Sequence, residues 1–211
     1  MPPDLPVKGD QGGKLTANIY LVGVGGQGII TASRIIGDAA ILAGKNVLLS
    51  ETHGMAQRGG TVVCTARIGD FYSPLIPPDA VDVILSFELL ECMRAACYAS
   101  KKTIVISSKE KIVPLSVSVQ KLTYPAIEDV EKEVLRLAKE FIAIDAIKMA
   151  DEAGSRLSTN IVMVGALAGT GVTDLDKEDY EKAIGMNVPS KLHENLAAFR
   201  KGFSVTSRKT L

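Results

Sequence analysis

The sequence predicts an α/β protein with a Rossmann-like, doubly wound, mostly parallel sheet and a helical arm at its C-terminal end. Short apolar runs typical of buried strands alternate with segments of helical periodicity along most of the chain. A glycine-rich turn joins the first of these strands directly to the first helix. Strands that alternate with helices are usually connected by right-handed crossovers, which produce an open sheet covered on both faces.

The first strand–turn–helix–strand unit has the clearest pattern. Residues 18–24 (NIYLVGV) form an apolar run, and Gly25-Gly26-Gln27-Gly28 follows at once. Residues 29–43 have helical spacing, and Gly44 is suited to end that helix. Residues 45–50 are the next strand. The apolar face of the predicted helix consists of Ile29, Ala32, Ile36, Ala39, Ala40 and Ala43.

The later elements continue the alternation within one domain, residues 18–211, behind a flexible tail of residues 1–17. Residues 61–68 (TVVCTARI) alternate as a strand with one solvent-exposed face does. Residues 159–211 are all helical, and this arm either contacts a partner chain or covers an open sheet face. Further strands are predicted at 81–87, 103–107, 120–124 and 141–145, and further helices at 88–99, 128–140, 146–153, 160–170, 176–184 and 192–203.

Composition excludes several functional classes. Lys plus Arg and Asp plus Glu are both 24, so the chain is not a basic nucleic-acid binder. No apolar run reaches the roughly 18 residues that a membrane span needs. The three cysteines, Cys64, Cys92 and Cys97, form no CxxC pair, which predicts three core or half-buried thiols rather than metal or cluster ligands. A reducing, cytoplasmic location is therefore expected.

The glycine turn is the first candidate site. Gly23, Gly25 and Gly28 satisfy G-x-G-x-x-G between a strand and a helix, where backbone N–H groups can bind a phosphate. Glu51 ends the second strand, where a dinucleotide-binding fold places its ribose-binding carboxylate. The turn with Gly26, Gln27 and Glu51 thus predicts a cofactor site. Two alternatives stay open here: a stand-alone NAD(P)-binding module, or a turn needed only for strand-to-helix geometry.

A polar, glycine-rich string follows the second strand. Residues 51–60 (ETHGMAQRGG) contain His53, Gln57 and Arg58. A guanidinium can hold a carboxylate or phosphate through two parallel hydrogen bonds, and an imidazole can exchange a proton near neutral pH. These three residues are candidate catalytic residues. The alternative is a solvated loop held in shape by its glycines.

Both motifs resemble the gamma-type domain of the 2-oxoacid:ferredoxin oxidoreductases. The resemblance is carried by NIYLVGVGGQGI, SETHGMAQRGGTVVCTARIG and NIVMVGALA, in that order, and it covers about residues 18–203. The unbroken ETHGMAQRGG string is most similar to the small (beta) subunits of the indolepyruvate type. The positions that match the family's motifs are Gly25, Gly26, Gln27, Gly28, His53, Gln57 and Arg58.

The resemblance implies a subunit that is inactive alone. In this family of anaerobic metabolism, a 2-oxoacid is oxidatively decarboxylated to acyl-CoA, and ferredoxin accepts the electrons. Thiamine diphosphate and [4Fe–4S] clusters belong to the large alpha subunit of the indolepyruvate type. The small chain would bind no cofactor by itself and would shape the active-site entrance, with coenzyme A as co-substrate. Without its partner, the chain is expected to self-associate as a two-fold dimer.

Overall fold

The structure is a computed structural model that describes residues 16–53, 60–77, 79–112 and 124–207. The strands in these ranges are β1 (Ala17–Val24), β2 (Val47–His53), β3 (Thr61–Ile68), β4 (Val83–Ser86), β5 (Ile104–Ser108) and β6 (Glu140–Ile144). The α-helices are α1 (Ile29–Leu42), α2 (Leu89–Ala95), α3 (Ile127–Leu135), α4 (Ala146–Glu152), α5 (Thr159–Gly169), α6 (Lys177–Asn187) and α7 (Leu192–Thr206). Most predicted elements are present with shifted ends; the strand predicted at 120–124 falls largely outside the described residues.

The six strands form one mixed sheet in the order β2-β3-β1-β4-β5-β6. Strands β1, β4, β5 and β6 run parallel to one another, which confirms the predicted α/β class. Strand β3 is antiparallel to both β1 and β2. Strand β2 is therefore not the immediate neighbour of β1, because β3 lies between the two strands.

The prediction that β3 has a solvent-exposed face is wrong. Residues 62 and 64–68 of this strand are buried, because β3 lies inside the sheet and the chain after it folds back over its polar face. Thr65 Oγ1 donates to the Pro74 carbonyl, and Arg67 Nη1 donates to the Ser73 and Leu75 carbonyls. The polar side chains that suggested contact with water are thus satisfied by loop carbonyls.

Two apolar cores lie on the two faces of the sheet. The larger core packs the inward residues of β1 and β3 against α1, α4, α5, α6 and α7. The smaller core packs Tyr20 and Val22 of β1 against α2 and α3. Both faces are therefore covered, as a mostly parallel sheet requires.

The C-terminal helices cover a sheet face, one of the two interpretations of the predicted arm. Helix α5 is buried from Asn160 to Ala168. It packs closely on α7, because Gly165 and Gly202 leave no side chain between the helices. Thr206 Oγ1 donates to the Ala166 carbonyl at 2.6 Å across the same contact.

Two of the three cysteines are buried in the described ranges. Cys64 and Cys92 are buried as predicted, whereas the prediction for Cys97 is wrong, because its thiol is exposed. Burial raises the pKa of the Cys64 thiol to about 11 and that of Cys92 to about 12. No described helix has the length and apolar character needed to cross a membrane. Across the same residues, no group of three His, Cys, Asp or Glu side chains could hold a metal ion.

Candidate functional site

The glycine turn connects the carboxyl end of β1 to the start of α1. Gly26 and Gly28 have φ values of 105° and 76°, which an L side chain rarely adopts. A Cβ on Gly28 would also lie 2.6 Å from Asn160 Nδ2. That amide donates to the Gly28 carbonyl at 3.2 Å, so the start of α5 closes one side of the turn.

Gly23 serves packing beneath the turn. A Cβ at this position would lie 2.7 Å from Gln27 Oε1 and 2.9 Å from the Cβ of Phe87. Gly23 does not line the adjacent cleft, whereas the other four predicted turn residues do. The absence of a side chain at Gly23 therefore admits the Gln27 side chain into the turn.

The Gln27 side chain links three segments of the chain through hydrogen bonds. Its Oε1 accepts from the Val24 backbone N–H at 2.7 Å. Its Nε2 donates to the Phe87 carbonyl at 2.7 Å and to Glu110 Oε2 at 2.9 Å. One side chain thus joins the ends of β1 and β4 to the segment that follows β5.

The cleft beside the turn has a volume of about 440 Å³. Its apolar lining residues are Phe87, Ile112, Ile147 and Leu157. Its polar lining residues are Glu110, Arg156, Thr159 and Asn160, together with the glycine turn. The cleft lies outside the carboxyl ends of the parallel strands, the usual ligand position in open α/β sheets.

Two helix N-termini open onto this cleft. Helix α1 begins after Gly28 and α5 begins at Thr159, and neither start has a side-chain cap among the described residues. Backbone N–H groups at a helix start carry partial positive charge. At α5 the Thr159 N–H is not free, because it donates to the carbonyl of Arg156 in the preceding 3₁₀ turn. Arg156 adds a formal charge; its Nη1 lies 3.6 Å from Asp151 Oδ2, and its side chain is 68% exposed. This side of the cleft favours an anionic ligand.

A buried carboxylate holds the segment that carries the cleft residue Ile112. Glu88 is 1% exposed, and its Oε1 accepts from the Ile112 N–H at 3.0 Å and from the Tyr124 hydroxyl. Its Oε2 accepts from the Glu91 N–H at 2.9 Å, which caps α2. Burial, followed by the contact with Glu88, raises the pKa of Tyr124. The Tyr124 hydroxyl therefore stays protonated and able to donate.

The second motif ends beside the turn. His53 is the last residue of β2, opposite Val62 in the register with β3. The Gly25 N–H donates to the Gly60 carbonyl at 2.9 Å, so the end of the polar string touches the glycine turn. Gln57 and Arg58 lie outside the described residues.

Glu51 is placed away from the turn. Strand β3 separates its strand from β1, and Glu51 Oε1 lies 3.8 Å from Arg34 Nε of α1. In a dinucleotide-binding fold, the strand that carries the ribose-binding carboxylate is the immediate neighbour of β1. This placement is evidence against the NAD(P)-binding alternative.

Residues 18–205 match the family model described as pyruvate ferredoxin/flavodoxin oxidoreductase. The chain belongs to this family. It is 43% identical to the indolepyruvate oxidoreductase subunit IorB of Archaeoglobus fulgidus, over 89% of this chain and 94% of that one. It is 41% identical to the subunit of the same name from Thermococcus kodakarensis, over 88% of this chain and 93% of the other. The predicted family resemblance is confirmed.

The fold also matches solved members of the family. The keto/oxoacid ferredoxin oxidoreductase gamma subunit from Geobacter sulfurreducens superposes with a TM-score of 0.66 at 25% identity. The match covers 90% of this chain and 98% of that chain. The described domain therefore corresponds to one whole subunit in that relative.

Three cleft residues of this family member were missed by sequence reasoning. Glu110 follows β5, and a polar residue after a parallel strand was the signal that could have identified it. Asn160 opens the NIVMVGALA string, which carried part of the family resemblance but from which no site residue was predicted. Arg156 had no signal, because nothing in the sequence shows that α5 starts beside the glycine turn.

Proposed function

We propose that this chain is the small subunit of an indolepyruvate-type 2-oxoacid:ferredoxin oxidoreductase and is inactive alone. The observation that carries the proposal is the identity of 43% to an indolepyruvate oxidoreductase subunit across nearly the full length of both chains. The proposed reaction converts an aryl 2-oxoacid and coenzyme A to acyl-CoA and CO₂. Two ferredoxins each accept one electron, and one proton is released.

In this proposal the large alpha subunit carries thiamine diphosphate and the [4Fe–4S] clusters. Those groups supply decarboxylation and electron transfer. The small subunit closes the active-site entrance in a cytoplasmic complex, and when purified without its partner it self-associates as a two-fold dimer.

The cleft at the glycine turn is the proposed binding site for the anionic part of coenzyme A. The α1 and α5 N-termini and Arg156 would bind phosphate groups there. The apolar wall with Phe87 and Ile112 would contact the uncharged part of the molecule. A cleft with a phosphate-binding edge and an apolar wall suits a ligand with both kinds of group.

The string with His53, Gln57 and Arg58 is the proposed contribution to the shared active site. Its ends lie at the same sheet edge as the glycine turn, which supports a role near the bound substrates. Arg58 would hold the carboxylate of the 2-oxoacid or a phosphate of coenzyme A. His53 and Gln57 would donate hydrogen bonds beside it.

The direct test is purification of the tagged chain from its native cell extract. The eluate is assayed for reduction of a viologen dye that depends on both an aryl pyruvate and coenzyme A. Activity that co-purifies with a large iron–sulfur protein supports the proposal. A chain that elutes alone and binds NAD(H) by calorimetry would support the dinucleotide alternative instead.

The Arg58→Ala variant should lose turnover in the reconstituted complex by about 10- to 1000-fold, because a bidentate anion contact is removed. Assembly, followed by size-exclusion chromatography, should be unchanged. Arg136→Ala is the matched control, since Arg136 is an exposed residue just after α3 and pairs only with Glu133 among the described residues. Equal turnover of Arg58→Ala and wild type would contradict a role in the active site.

A further inference from the structure

We infer that Glu110, held in place by Gln27, is the cleft residue that recognises a hydrogen-bond donor of coenzyme A. This inference rests on the proposed function, because it assigns a specificity-determining contact within the same cleft. Gln27 becomes a positioning residue instead of a ligand contact. The sequence motif had suggested the opposite role for it.

The hydrogen bonds of Gln27 leave its side chain without a donor for a ligand. Both N–H bonds of Nε2 are used, one by the Phe87 carbonyl and one by the Glu110 carboxylate. Its Oε1 already accepts from the Val24 N–H. A primary amide has two donors, so any ligand contact would have to break one of these bonds.

Three hydrogen bonds hold Glu110 in place. Its N–H donates to Ser108 Oγ at 3.1 Å, and its carbonyl accepts from the Leu89 N–H at 3.1 Å. One carboxylate oxygen, Oε2, accepts from Gln27. No other donor from the described part of the chain reaches the carboxylate, which lines the cleft. An ionised carboxylate is an acceptor only, so it can receive a donor from a ligand.

The charge pattern restricts the ligand. Two helix N-termini and Arg156 attract anions, whereas a carboxylate in the same cleft repels them. A ligand that presents only phosphate oxygens would lose binding energy to Glu110. A ligand that combines phosphates with N–H or O–H donors would gain on both sides, and coenzyme A is of this kind.

The neighbours of Glu110 indicate which donors fit. Phe87 shares the Gln27 amide with Glu110, and Ile112 lies two residues further along the chain; both line the cleft, so the donor should be attached to an apolar body. In coenzyme A such donors are the amides and the hydroxyl of the pantetheine arm, and the amino group and ribose hydroxyl of the adenosine half. Pantetheine and adenosine 3′,5′-bisphosphate separate the two halves experimentally.

The test uses the complex reconstituted with the large subunit and steady-state kinetics. Glu110→Gln keeps the shape and an oxygen for Gln27 but removes the charge. It should raise KM for coenzyme A by about 10- to 100-fold, with kcat at saturating coenzyme A and KM for the 2-oxoacid unchanged. Glu131→Gln, an exposed residue of α3, is the matched control and should have wild-type constants.

Gln27→Met tests the positioning role, because methionine has a similar shape and no amide. It should raise KM for coenzyme A in the wild-type background and add little in the Glu110→Gln background. A purely structural role would instead lower the unfolding midpoint and raise KM to the same extent in both backgrounds. That additive result would overturn the assignment of Gln27.

Arg156→Gln separates failure of this inference from failure of the proposed function. If Arg156→Gln raises KM for coenzyme A and Glu110→Gln does not, coenzyme A sits in the cleft and the role of Glu110 is wrong. If neither variant changes KM in an active complex, coenzyme A binds elsewhere and both assignments fall. Inhibition by one of the two coenzyme A halves should weaken in Glu110→Gln; unchanged inhibition by both would overturn the inference.

Discussion

At the scale of single residues, the glycine turn shows two different reasons for glycine. Gly26 needs a positive φ, but no atom of the described residues lies within 4 Å of where its Cβ would be. Gly28 needs a positive φ and also has Asn160 against it. Substitutions at the two positions therefore distinguish the cost of backbone strain from the cost of steric contact.

Gly28→Ala should lower the free energy of unfolding more than Gly26→Ala. Gly26→Ala introduces left-handed strain alone, about 1 to 3 kcal/mol. Gly28→Ala adds the overlap with Asn160, a further cost of about 1 kcal/mol or more. Urea denaturation of both variants and the wild type measures the difference. Equal losses would show that Asn160 moves away freely.

At the scale of secondary-structure elements, the contact between α5 and α7 depends on glycine. A methyl group on Gly165 would overlap the Phe199 carbonyl, and one on Gly202 would overlap the Val162 carbonyl. Neither helix can move away easily, because α5 is buried on all sides. This contact fixes where α5 begins, and thereby where Asn160 meets the glycine turn.

Gly165→Ala and Gly202→Ala should each lower the free energy of unfolding by about 1 to 3 kcal/mol, since overpacking outweighs the better helix propensity of alanine. Gly185→Ala in α6 is the control. Its Cβ would lie 3.8 Å from Leu192 Cδ1, an ordinary contact. That variant should be neutral or more stable by about 0.5 to 1 kcal/mol. A stabilised Gly165→Ala would contradict the close packing.

At the scale of the whole molecule, several buried acids must stay protonated. Burial raises the pKa of Cys64 to about 11 and of Cys92 to about 12, from an ordinary value of 9.0. It also raises the pKa of Tyr20, Tyr124 and the fully buried Tyr180 above 10.0. These groups lie on both faces of the sheet, so their ionisation affects both cores.

The sign of the pH effect follows from these directions. Each folded-state pKa lies above the unfolded value, so the folded chain holds these protons more tightly. The contribution of these groups to the free energy of unfolding is fully present below about pH 9. It should be lost as the pH rises from about 9 toward 12. Thermal unfolding midpoints between pH 8 and 11 measure the decline.

Tyr180→Phe provides the control for this decline. The variant loses the hydrogen bond to Thr173 and is less stable at every pH, but its decline above pH 10 should be shallower. A slope equal to that of the wild type would show that Tyr180 contributes nothing to it. Stability independent of pH over the whole range would contradict the alkaline prediction.

The amino-acid sequence by itself determined the α/β class, the glycine turn and the family. These depend on local periodicity and on contiguous strings such as GVGGQG and ETHGMAQRGG, which need no knowledge of distant contacts. The burial of β1 and of one face of α1 followed from the same local patterns.

Only the tertiary structure decided what surrounds the turn. The polar residues of β3 predicted a solvent-exposed face, yet Thr65 and Arg67 donate hydrogen bonds to loop carbonyls. The pattern of a single strand does not show which other segment supplies these partners. The side-chain partners of Gln27, Phe87 and Glu110, lie far along the chain from it. Arg156 and Asn160 reach the cleft through the packing of α5 on α7. Such contacts depend on how whole elements pack, and local sequence patterns do not encode that arrangement.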